Sequence, residues 1–143
     1  MIPLIVDASV VAKWYLNDES EPLVPAAFRI LEQYAQGEIQ FLVPDLFWAE
    51  VGNIFWKSVR QGRQTKLQAQ AALRSLERRQ FTTIPSLSLL AAALPIATGF
   101  DRSFYDSLYI AAALEFQSRF ITADYKLARA VGSELPVTWL GAS

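Results

Sequence analysis

The chain has 143 residues, 52% of them hydrophobic and 19% charged, which is enough apolar content for one compact domain, residues 1–143, with a real core. It contains no cysteine, which excludes a disulfide framework, a thiolate zinc site and a cysteine nucleophile, and no histidine, which removes the usual general base and the commonest zinc and copper ligand. Thirteen basic and fourteen acidic residues leave a formal net charge of −1, so any binding to nucleic acid must rest on locally placed bases rather than on global attraction.

Short β-rich runs alternate with longer helical patterns, the sign of βαβ units and a mostly parallel sheet. The first strand is expected at 2–6, nearly all aliphatic as a strand covered on both faces should be, with Pro3 tolerated near its start. Helices follow at 8–17 and 22–36, then a strand at 40–43. The next helix, 45–61, carries apolar residues on more than one face: Leu46, Phe47, Trp48, Val51, Ile54, Phe55, Trp56 and Val59. One stripe packs on the sheet; the rest needs the following helix, a second copy of the chain or a partner. Thr65 is the expected N-cap of a helix over 65–79, and a strand is expected at 81–84. Helices at 87–98 and 104–117, a strand at 119–122, a helix at 124–131 and a strand at 136–139 complete the chain. Gly37, Gly62, Gly99 and Gly132 stand just past four of the helices, the favoured place for a left-handed stop. The amino terminus lacks a charged segment followed by a cleavable apolar stretch. The greasiest segment, Leu87 to Phe100, is broken by Ser88, Pro95 and Gly99, so a cytoplasmic protein without a membrane span is expected.

Four acids stand where a fold would bury something apolar. Asp7 follows Ile2-Pro3-Leu4-Ile5-Val6, Glu50 interrupts Leu46-Phe47-Trp48-Ala49-Val51, Asp106 lies within Phe104-Tyr105-Asp106-Ser107-Leu108-Tyr109, and Asp124 follows Phe120-Ile121-Thr122-Ala123. No matching lysines or arginines stand beside them, and a carboxylate out of water needs a partner. A hard divalent cation is the expected one, since carboxylate oxygens are its preferred ligands. Asp7 and Asp124 each end a strand, where open parallel sheets bind ligands; if those strands are neighbours, the two side chains meet across the crevice. Glu50 shares the inward stripe of Leu46, Phe47 and Ile54, and Asn53, on the same face, is placed to hold it from behind. Asp106 sits in the first turn of its helix. Each aspartate alone also reads as a helix cap or dipole partner, with Ser9 a rival cap to Asp7; Glu50, in mid-helix, does not. Asp101 is read as a cap for the helix after it.

These segments carry a family resemblance. Ile5-Val6-Asp7-Ala8-Ser9, Pro44-Asp45-Leu46-Phe47-Trp48-Ala49-Glu50-Val51-Gly52-Asn53, Tyr105-Asp106-Ser107-Leu108-Tyr109 and Thr122-Ala123-Asp124-Tyr125-Lys126-Leu127, in that order, resemble the PIN-domain nucleases and among them the small VapC-like toxins. The resemblance implies a three-layer α/β/α fold with parallel strand order 3-2-1-4-5. It implies a Mg²⁺- or Mn²⁺-dependent endoribonuclease with Asp7, Glu50, Asp106 and Asp124 as catalytic and metal-holding residues, and Ser9, Asn53 and Thr122 as accessory positions. It also implies a homodimer neutralised by a cognate antitoxin protein. A non-toxin PIN nuclease of RNA processing and a catalytically silent PIN-like binding module remain open beside it.

Lys13, Arg102, Lys126 and Arg129 are nearest the acidic motifs and are the candidates for gripping an RNA backbone, each weighed against ordinary surface charge. For Lys57, Arg60, Arg63 and Lys66 the competing roles are RNA contact, partner docking and solubility. A phosphorylation-receiver reading needs adjacent acids after the first strand, but Ala8-Ser9 follow Asp7. A phosphatase with an Asp-x-Asp pair fails because position 9 is serine.

Overall fold

The computed structural model describes residues 1–16 and 18–143, so Asn17, the last residue of the helix expected at 8–17, lies outside the described residues. Five parallel strands, β1 (Ile2–Val6), β2 (Ile39–Pro44), β3 (Thr82–Ile84), β4 (Arg119–Thr122) and β5 (Val137–Trp139), form one sheet in the order β3-β2-β1-β4-β5. Each expected strand is present. Helices α1 (Ala8–Ala12), α2 (Val24–Ala35), α3 (Leu46–Arg60), α4 (Lys66–Arg78), α5 (Leu90–Phe100), α6 (Phe104–Glu115) and α7 (Tyr125–Val131) flank it in a PIN-like α/β/α arrangement. Among the described residues, no helix is long and apolar enough to cross a membrane.

Alternation along the strands separates two cores. On one face Phe41 gathers Trp14, Tyr34 and Phe81 at centroid distances of 5.6, 4.9 and 5.2 Å. On the other, Tyr109 of α6 stacks on Phe120 at 4.8 Å and 12°. The excess apolar surface of α3 is largely taken up within the chain. Phe47, Val51 and Phe55 are buried, Ala69, Ala72 and Leu76 of α4 are buried too, and the Trp48 indole donates to Thr83 Oγ1 at 3.0 Å. Trp56 stays 54% exposed beneath the Arg60 guanidinium.

Several helix ends differ from expectation. α1 stops at Ala12, and the chain continues through turns closed by N–H bonds from Lys13, Trp14 and Tyr15 to residues three back. This turns Trp14 inward, where its indole donates to the Ala27 carbonyl at 2.9 Å. The region expected as helix 87–98 is a 3-10 turn, Ser86–Leu89, followed by α5, which accommodates Pro95 and runs through Gly99. Gly37 and Gly62 adopt positive φ as left-handed stops, but Gly99 lies inside α5 and Gly132 is right-handed at φ −65°. After α5 the left-handed residue is Asp101, at φ 53°. Asp101 therefore ends α5 rather than capping α6, whose N-cap is Ser103, accepting from Asp106 N–H at 3.0 Å. Thr65 caps α4 in a capping box completed by Gln68.

Candidate active site

Strand order reverses at β1, whose neighbours are β2 on one side and β4 on the other, so the crevice beyond β1 and β4 is the place where such a sheet binds ligands. Asp7 leaves β1 there and Asp124 leaves β4. They are joined by Thr122, whose fully buried hydroxyl donates to Asp7 Oδ2 at 2.7 Å and accepts from the Asp124 N–H at 3.1 Å. Asp7 also caps α1, accepting from Ser9 N–H at 3.4 Å, and Asp124 caps α7, accepting from Leu127 N–H at 3.1 Å. The capping and site readings of these two acids are compatible: the cap uses one Asp124 oxygen, and each Asp7 oxygen, accepting one hydrogen bond, keeps a further lone pair.

Glu50 points inward from α3 and is half-buried; Asn53 is not behind it but exposed to solvent, so the expected support from Asn53 is absent. The support comes instead from Tyr109 of α6, whose hydroxyl donates to Glu50 Oε1 at 2.6 Å. Sequence reasoning assigned Tyr109 no role. The available signal was its position three residues after Asp106, on the same face of α6. Burial pushes the Tyr109 phenol well above the usual tyrosine range, with the nearby Asp7 charge adding to it, so it serves as a neutral donor.

The charges of the acids reach one another. Burial raises Asp7 above the ordinary aspartate range and the Asp106 carboxylate adds to the rise, against the lowering effect of the Thr122 and Ser9 hydrogen bonds. Burial also raises Glu50, with Asp7 and Asp106 contributing like charge. Asp106, again chiefly through burial, is raised further by Asp124 and relieved in part by Arg102. The ion pairs among the described residues are elsewhere: Lys13 with Glu21 at 2.6 Å, and Arg63 with Glu21 at 2.7 Å and Asp18 at 3.2 Å. Lys13 is therefore not a backbone-gripping residue. It is only 4% exposed and is committed, like Arg63, to an internal network. Arg102 lies beside Asp106, while Lys126 and Arg129 are exposed on α7.

This donor set fits a hard divalent cation. It consists of oxygens, it concentrates negative charge without an ion-paired base, and the Ser9 hydroxyl beside Asp7 is buried without a well-formed hydrogen bond. Among the described residues no three acidic side chains are arranged to hold one ion together.

A five-stranded parallel sheet of this order, with acids gathered at its switch point, defines a class, and the chain belongs to it: the PIN domain family model matches residues 4–132, placing the protein in a family of nucleases. Solved structures agree on the fold. PAE2754 from Pyrobaculum aerophilum aligns at TM-score 0.65 and 23% identity over 90% of this chain and 79% of that one. VapBC2 from Rickettsia felis, bound to a DNA fragment from their promoter, aligns at 0.65 and 14% over 96% and 98%. A toxin-antitoxin complex from Klebsiella pneumoniae aligns at 0.61 and 13% over 94% and 95%. No curated protein matches the chain in sequence.

Proposed function

We propose that the protein is a divalent-metal-dependent endoribonuclease and the toxin of a toxin–antitoxin pair. The observation that carries the reading is that Asp7 and Asp124, tied together through Thr122, end neighbouring strands at the switch point of a PIN-domain sheet, with Glu50 and Asp106 near enough to add like charge and no lysine or arginine ion-paired to any of the four among the described residues. The toxin assignment is supported by the kind of assembly found among the structural neighbours.

Asp7 and Asp124, projecting from strand ends, would hold Mg²⁺ or Mn²⁺ directly, and Glu50 and Asp106 would hold water or orient the nucleophile. The cation, when bound, would supply Lewis acidity toward the scissile phosphate and lower the pKa of the attacking water. The chain's own part is positional. Thr122 fixes Asp7 relative to Asp124, Tyr109 fixes Glu50, and burial makes Glu50 and Asp106 stronger proton acceptors than exposed carboxylates. Arg102 is placed beside Asp106 to meet a substrate phosphate.

The partners proposed are RNA, a cognate antitoxin and a second copy of the chain. Exposed Leu87, Leu90 and Leu94 near and along α5, and Trp56 and Leu73 on α3 and α4, are apolar surfaces of the kind such protein partners cover. The test is cleavage of single-stranded RNA with Mg²⁺, with EDTA, and with Mg²⁺ restored. EDTA is expected to abolish cleavage and Mg²⁺ to recover it; full-rate turnover without metal would count decisively against the reading. Growth arrest on inducing the wild-type chain but not Asp7→Asn tests the toxin assignment.

A further inference from the structure

Beside the acids, on the β5 side, two aromatic rings stand where no core requires both. Thr122 and Trp139 are register partners on adjacent parallel strands, so their side chains leave the same face of the sheet. The Trp139 indole thus neighbours the residue that ties Asp7 to Asp124. It lies flat against Gly141, where any Cβ would collide with the ring. Tyr125, the residue after Asp124, meets that indole edge to face at 4.9 Å and 74°, and remains 50% exposed. Trp139 packs against the core; Tyr125 packs against Trp139 and opens to solvent.

The groove that these rings open into continues along edge strand β5 and is lined by Arg119, Arg129 and Thr138, with no acidic residue among its described lining. Arg119 is held in place there by donating to Thr138 Oγ1 at 2.6 Å and to the Val137 carbonyl at 3.2 Å. On a chain of net charge −1, two arginines and two aromatic rings, one of them the residue after Asp124, form a local exception to the global charge.

We propose that Tyr125 and Trp139 form a stacking site for an unpaired nucleobase of the substrate, with Arg119 and Arg129 on the phosphates that flank it. The inference rests on the nuclease reading and narrows it to single-stranded substrate. A base enters the aromatic site only when it is free of its duplex partner, and stacking on rings is tolerant of base identity. The arginines supply the charge neutralisation that the acidic cleft lacks.

The test uses the full chain as Asp7→Asn, with Mg²⁺ present, and fluorescence anisotropy with a labelled single-stranded RNA octamer. Adding Tyr125→Ala is expected to weaken binding about 5- to 100-fold, whereas Tyr125→Phe keeps affinity within about twofold. The salt slope stays unchanged in Tyr125→Ala and falls by about one in Arg129→Gln. An abasic octamer binds the parent more weakly by a similar factor, and on it Tyr125→Ala costs nothing further. Because Tyr125 is half exposed, its alanine variant is expected to melt within about 2 °C of the parent. Equal affinity of parent and Tyr125→Ala for the octamer, or the same loss on the abasic chain, overturns the stacking site while wild-type cleavage keeps the nuclease reading intact. Absence of both octamer binding and wild-type cleavage removes the nuclease reading and the site with it.

Discussion

Tyr109 links two parts of the cleft: its hydroxyl donates to Glu50, and its ring rests on Phe120, two residues before Thr122 on β4. Removing only the hydroxyl leaves the stacked ring in place and frees Glu50. Tyr109→Phe is therefore expected to cost about 10- to 100-fold in metal affinity or cleavage, read by Mn²⁺ titration as well as by rate, with a small change in melting. Unaltered Mn²⁺ affinity would reduce Tyr109 to a packing residue. Asp7→Asn removes one negative charge from a repelling group while keeping an oxygen for Thr122 to donate to. Cleavage should vanish, and the metal-free variant should melt at or above the wild-type temperature; a sharp drop would assign Asp7 a structural role instead. The four acids were legible because each breaks an apolar run. Tyr109 was not, because a tyrosine on a buried helix face looks like core until its hydroxyl partner, 59 residues away, is known.

At the scale of elements, strands were more legible than helix ends. A buried parallel strand announces itself by an aliphatic run, but a helix end depends on partners far off in the chain. α1 ends early because Trp14 is drawn to Ala27 and Phe41, and because Lys13 is drawn to Glu21, eight residues on. Gly99 was read as a stop, yet Asp101 takes the left-handed position and Gly99 stays helical. Asp18 and Glu21 are pinned to the turn between α3 and α4 by Arg63, which contacts both. Glu21 is the shared anion of two cations, one of them almost fully buried. Glu21→Ala leaves Lys13 without its partner and is expected to destabilise the protein by about 3 kcal/mol, measured by urea unfolding. A loss under about 1 kcal/mol would mean that the pair is as weak as an exposed one.

The whole molecule places its charge where its topology turns. Two crossovers run from β1 toward β3 and the later ones return to β4 and β5, so the reversal opens a crevice at β1, where Asp7 and Asp124 leave neighbouring strands and Glu50 and Asp106 add like charge. Residue patterns alone left the adjacency of the first and fourth strands conditional; the family resemblance supplied it, since strand order is a property of long-range pairing and not of local sequence. Gathering these carboxylates has a consequence for stability that pH exposes. Asp7, Glu50 and Asp106 all have folded-state proton affinities raised above ordinary values of 3.8, 4.5 and 3.8. Between those values and the raised ones the native protein binds more protons than the unfolded chain, so its stability is fullest below about pH 4 on this account and declines as pH rises through the raised values. Asp18 and Asp45 are shifted the other way by hydrogen bonds from Ser20 and Arg63 and from Ser86, and their contribution is lost only as pH falls below the ordinary range. In EDTA the melting temperature should therefore fall as pH rises above the ordinary carboxylate range. A divalent cation binds the ionised carboxylates, so added Mg²⁺ should raise melting more at pH 8 than at pH 5. Asp106→Asn should flatten the EDTA profile by removing one of the three repelling groups. An EDTA profile that rises with pH, together with a Mg²⁺ effect indifferent to pH, would mean that these acids do not share a cation in the folded protein.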